Sequence, residues 1–188
     1  MKRETSGLIE RMLEGDRTSF DDIVAWYSAD VLRLCCLLLR EPEEARDVAQ
    51  ESYLRLVELV KKKKFRTRNG SIKGFLITTA RNLCIDRLKK RIHFCSVDEE
   101  HEISDTRFVD TYSPDAAMEE TRLRSAFEKA LTHLNDAQRA ILILHELNGE
   151  SQQNIANELK LSLNAVRTQL CRARRKMRIL LTPYVGQL

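Results

Sequence analysis

Residues Asn154–Arg178 read NIANELKLSLNAVRTQLCRARRKMR. Ile155, Ala156 and Leu159 recur at helical spacing, and Val166, Leu170, Ala173, Met177 and Leu180 form a second stripe beyond them. Ser151 and Ser162 stand where N-caps belong, each just ahead of a periodic run. The spacing predicts a short helix to Leu159, a turn of three residues, and a long second helix, which is helix-turn-helix spacing. Small Ala156 lets the two helices approach closely. Lys160 occupies the turn position where glycine is favoured, so a non-glycine residue is expected at positive φ, at a cost of about 1 kcal/mol.

The same stretch has a one-sided charge. No acid follows Glu158 in the chain, and seven lysines and arginines lie between Asn154 and Arg178. Opposite the apolar stripe the second helix carries Arg167, Thr168, Cys171, Arg172, Arg174 and Arg175. With no carboxylate on the helix to pair with them, these side chains are expected to meet a polyanion. A helix fits the DNA major groove, where arginine reads guanine bidentately and flanking cations hold phosphates.

A second cationic block lies upstream. Net charge over the 188 residues is only +4, yet Lys61–His93 holds twelve basic residues against the single acid Asp86. Phe94–Glu120 reverses the balance, with nine acids against Arg107. Such asymmetry points to separate polyanion-binding surfaces rather than a uniformly basic protein. Within the upstream block, Asn82 stands on a cationic helix face with Arg87, and an amide there can bond base edges. The loop before it, with Phe65, Arg66, Arg68, Asn69 and Gly70, has the aromatic-plus-cation composition that tracks a single strand. The bland alternative folds Phe65 back on the core.

The rest of the chain is helical in period, with few glycines and prolines and no convincing alternation. Helices are expected over Ser19–Leu39, Glu43–Val60 and Ser71–Ile92. Residues 94–117 lack any period and read as an acidic linker. The pattern returns at Met118, and Asn135 with Gln138 resembles a capping box opening a helix that Asn148–Gly149 stops after Leu147. The expected architecture is all-α: an N-terminal helical domain over 1–93, a flexible acidic linker over 94–117, and a C-terminal helix-turn-helix domain over 118–188.

On the Glu43–Val60 helix, Asp47, Gln50, Glu51, Arg55 and Glu58 face away from the apolar stripe, and Leu54 sits in their centre. An apolar anchor with a charged rim is the layout of a protein-binding patch. Five cysteines show no metal-ligand spacing and are expected as reduced, mostly buried thiols, which suits a cytoplasmic protein. The longest apolar run, Val31–Leu39, is broken by Arg33 and is too short to span a bilayer. The four histidines (His93, His101, His133, His145) show no HExxH or paired-carboxylate spacing, and no glycine-rich phosphate loop is present. No enzyme activity, metal or cofactor is expected.

Taken in order, three stretches resemble the extracytoplasmic-function (ECF) group of bacterial RNA polymerase sigma factors. EPEEARDVAQESYLRL is similar to the stretch that grips the β′ clamp helices of core polymerase. GFLITTARNLCIDRLKKR resembles the −10 element reader, with Phe75 where tryptophan is more usual. LNDAQRAILILHELNGESQQNIANELKLSLNAVRTQLCRARRKM resembles the −35 domain, with Asn135–Asp136, Lys160 and Asn164–Ala165 departing from the common pattern. The resemblance implies core contacts from Asp47, Gln50, Glu51 and Leu54. It implies −10 contacts from Phe65, Arg66, Arg68, Asn69, Asn82 and Arg87, and −35 contacts from Arg167, Thr168, Cys171 and Arg172, with Arg174 and Arg175 on phosphates. Its implied partners are core polymerase, promoter DNA and, in many members, an anti-sigma factor.

A flexible linker of 24 residues has a root-mean-square span of about 25–30 Å and reaches roughly 80 Å when stretched. The mean is less than one DNA turn of about 34 Å. Two promoter elements further apart therefore need a scaffold that draws the linker out. A helix-turn-helix regulator working without polymerase explains Lys160–Arg178 equally well, but leaves the upstream basic block and Leu54 unemployed.

Overall fold

The computed structural model describes residues 2–14, 16–65, 71–94 and 116–185. Among them every regular element is helical: α1 (Lys2–Leu13), α2 (Arg17–Leu38), α3 (Pro42–Lys61), α4 (Ile72–Phe94), α5 (Ala116–Thr132), α6 (Asp136–Leu142) with a π-helical extension over Ile143–Leu147, α7 (Gln152–Leu159) and α8 (Leu163–Val185). Contacts divide the chain into two compact units, residues 1–87 and 88–188, the division falling inside α4. Most of the expected linker lies outside the described residues.

In the first unit α2 begins two residues earlier than its apolar period suggests, because Asp16 caps it. One carboxylate oxygen accepts from the Thr18 amide (2.9 Å) and hydroxyl (2.7 Å), and the other from the Ser19 hydroxyl (2.7 Å). Those hydrogen bonds, from Thr18 and then Ser19, hold the Asp16 carboxyl below its usual range. Pro42 at the first turn of α3, followed by Glu43 and Glu44, suits a helix N-terminus. The α3 stripe predicted from the sequence is buried at Ala45, Val48, Ala49, Ser52, Tyr53, Leu56 and Val60, and half-buried at Val57. It packs with Ile23, Val31, Cys35 and Leu38 of α2 in a core to which Ile72, Leu76, Ala80 and Cys84 of α4 also belong.

Helix α1 lies ahead of the helices expected from the sequence, although Leu8, Ile9, Met12 and Leu13 keep a helical period. It packs on α2 and α3 with Leu8 buried and Ile9 and Met12 half-buried. Two cysteine expectations divide likewise. Cys35 and Cys84 are buried, whereas Cys36 and Cys171 are exposed, each one position or more off its helix's apolar stripe. The Cys35 hydrogen bond and burial together push the Cys84 thiol far up, so it stays protonated.

In the second unit the capping box is present: the Gln138 amide donates to the Asn135 side chain (2.8 Å), and the Gln138 side chain accepts from the Asn135 amide (3.4 Å). Gln138 also reaches across to buried Gln169 of α8, donating to its Oε1 at 3.1 Å. The α8 stripe Val166, Leu170, Ala173, Met177 and Leu180 is buried as its period predicts. Lys160, ending α7, is left-handed at φ 55, ψ 42, the strained turn residue expected from the sequence.

Candidate nucleic-acid and partner surfaces

Three surfaces follow from this packing. On α8 the buried stripe forces the remaining face outward, and Arg167, Thr168, Cys171, Arg174 and Arg175 are exposed, with Arg172 half-buried. The N-terminus of α8 is set by Ser162, whose hydroxyl accepts from the Ala165 amide at 3.1 Å. That of α7 is set by Ser151, which accepts from Asn154 at 3.2 Å. Arg174 differs from its neighbours. Its Nε and Nη2 both donate to Oε1 of Glu146, at 2.8 and 2.6 Å. A carboxylate from the π-helical extension of α6 therefore holds a guanidinium that the sequence alone assigns to phosphate.

On α4, Asn82 is exposed and its Oδ1 accepts from Arg81 Nη1 at 3.0 Å, leaving the carboxamide NH₂ outward-facing chemistry for a base edge. Arg87 is turned to α3 instead: its guanidinium lies 3.9 Å from Glu44 and 3.7 Å from Glu51. Phe65 is half-buried and packs edge-on against Phe75, centroids 5.2 Å apart, so it folds back on α4. Arg66, Arg68 and Asn69 lie outside the described residues.

On α3, Leu54 is 54% exposed at the centre of a polar face. Asp47 and Gln50 are exposed beside it, and Glu51 is half-buried, bonded to Arg55 at 2.8 Å and near Arg87. The structure brings Asp47, Gln50, Glu51 and Leu54 onto one face of one helix. It also shows a residue the sequence reading passes over: Trp26 of α2, 55% exposed against the edge of Tyr27. Its only sequence signal is that it falls off the α2 stripe. Among the described residues there is no cluster of metal-ligating side chains and no helix long and apolar enough to cross a membrane.

The two halves match two family models in the order the surfaces appear: Sigma-70 region 2 over residues 23–92 and Sigma-70 region 4 over 124–177. The chain belongs to the sigma-70 family of RNA polymerase sigma factors, in its ECF group. Full-length relatives agree with this. The chain is 27% identical to the ECF RNA polymerase sigma factor SigW of Bacillus subtilis over 178 residues, covering 90% of this chain and 92% of that protein. It is 27% identical to the RNA polymerase sigma-H factor of Pseudomonas aeruginosa over 192 residues, covering 96% and 95%. Among solved structures it is similar to the RsbN–BldN complex at 22% identity (92% of this chain, 99% of that one, TM-score 0.37). It is also similar to the sigma factor RpoE with the anti-sigma factor NepR from Bartonella quintana at 20% identity (87% and 96%, TM-score 0.46). As a sigma factor, this protein binds core polymerase and directs promoter recognition and transcription initiation. A regulator acting apart from polymerase is not favoured.

Proposed function

We propose that this sigma factor divides its work among the three surfaces, with 1–93 serving core binding and −10 recognition, 94–117 a linker, and 118–188 the −35 domain. The α3 face with Leu54, Asp47, Gln50 and Glu51 docks on the β′ clamp helices. Asn82 and the loop that includes Arg66, Arg68 and Asn69 read the melted −10 strand. Arg167, Thr168, Cys171 and Arg172 read the −35 duplex, with Arg175 on phosphate. Arg87 acts through Glu44 and Glu51, tying the docking helix to α4. The protein works in the cytoplasm as a non-catalytic subunit whose chemistry belongs to polymerase, and an anti-sigma factor is the partner that would restrain it.

The observation that carries this reading is the exposed Leu54 ringed by polar groups on a helix whose opposite face is fully packed. On a stand-alone DNA-binding protein it would be one more exposed leucine. Support also comes from charge: the two cationic helices lie on either side of the acidic 94–120 segment, and the linker's mean span falls short of one DNA turn unless something extends it. The free chain should therefore bind promoters weakly and become selective on core enzyme. The test is transcription by purified core polymerase on fragmented genomic DNA with and without this chain, followed by mapping of RNA 5′ ends. New start sites sharing two spaced elements support the reading, and an unchanged set of ends refutes it.

A further inference from the structure

Glu146 is the unexpected element of the C-terminal unit. It lies in the π-helical turn Ile143–Leu147, where the Asn148 amide reaches back to the Ile143 carbonyl (3.2 Å) and that of Glu150 to Leu144 (3.0 Å). Gly149 turns the chain at φ 69, and the His145 Nδ1–H donates to the Glu150 carbonyl at 2.7 Å. The π turn closes the C-terminus of α6, a common place for such turns, and Gly149 lets the chain leave it. Here the wider turn accompanies a side chain that leaves its own segment and meets α8, 28 residues further on.

The contact it makes is with a member of the cationic face. Arg174 donates through both Nε and Nη2 to one carboxylate oxygen, the geometry it would otherwise offer a phosphate oxygen. Both side chains are about half exposed, 51% for Arg174 and 44% for Glu146, so the pair stabilises the fold little, and the carboxylate competes directly with a DNA phosphate for the guanidinium. We propose that Glu146 is a specificity-determining, positioning residue: it occupies Arg174 with a protein carboxylate and so withholds one phosphate contact from DNA of any sequence. Base-reading residues on α8 then decide where the domain binds, because indiscriminate affinity is kept low. The proposal rests on α8 being the duplex-binding surface.

The consequence is readable in salt dependence. A phosphate contact adds about 0.9 to the slope of log K against log salt, equivalent to about an eightfold gain in affinity at roughly 0.1 M salt. Full-length Glu146→Gln should bind a random-sequence 20-base-pair duplex with a slope steeper by about that amount and several-fold tighter, measured by fluorescence anisotropy between about 0.05 and 0.2 M KCl. Adding Arg174→Gln to Glu146→Gln should cancel the steeper slope. An unchanged slope in a helical, cooperatively melting Glu146→Gln protein overturns the inference, and so does a gain that survives loss of Arg174. Glu146→Ala replaces Glu146→Gln if the latter loses its helical signal. If the wild-type chain shows no salt-dependent duplex binding at all, the α8 surface itself is misassigned and the inference falls with it.

Discussion

Leu54 and Leu56 stand two residues apart on α3, and truncating them should have opposite consequences. Leu54 keeps 54% of its surface in water, whereas Leu56 is fully buried. Fully burying a leucine side chain contributes about 1.5–3 kcal/mol, so sealing the exposed half of Leu54 under a partner is worth about 1 kcal/mol. Leu54→Ala should therefore weaken binding to core polymerase about fivefold, at 1.4 kcal/mol per tenfold. It should leave the melting temperature of the free chain within experimental scatter. Leu56→Ala opens a cavity in the first unit and should cost about 2–5 kcal/mol of stability. Titrating fluorescently labelled chain with core enzyme gives the first quantity, and thermal unfolding followed by helicity gives the second. A Leu54→Ala protein that melts normally and binds core with wild-type affinity would show that the polar-rimmed leucine is an ordinary exposed residue, and the docking assignment would fail with it.

On the −35 surface, Arg175→Ala should weaken binding to all duplexes alike and lower the salt slope by about one. Arg172→Ala should instead lose about 1–3 kcal/mol and relax preference at one position, both read from promoter-variant binding by the polymerase holoenzyme. Tyr53 is buried and its hydroxyl has no hydrogen-bond partner among the described residues; burial, with Asp30 and Cys35 nearby, pushes its pKa up to about 12. Because the folded value exceeds the unfolded one near 10, the neutral phenol favours the fold below pH 10, and that stability is lost as pH rises toward 12. Tyr53→Phe should match or exceed wild-type stability at pH 7, since it removes an unsatisfied polar atom, and should remove part of the alkaline loss in urea melts at rising pH. Lys160→Gly relieves the left-handed strain at φ 55 and should raise the midpoint of thermal unfolding, by up to about 1 kcal/mol of stability.

What the chain alone determines is whatever depends on neighbours within about one helical turn. The stripes of α2, α3, α4 and α8 follow from a 3.6-residue period, and the Asn135–Gln138 box, the Ser151 and Ser162 caps and the left-handed Lys160 are likewise local. Leu54 is legible for the same reason, since a residue off its stripe is outside the core wherever the helix packs. Side-chain partners far apart along the chain are not legible. Glu146 meets Arg174 across 28 positions and Gln138 meets Gln169 across 31, while Arg87 turns to Glu44 and Glu51 rather than to solvent. These pairings, the docking of α1 and the π-helical turn were decided only when helices packed, because a charged side chain's destination depends on which neighbour the shared core brings within hydrogen-bond reach.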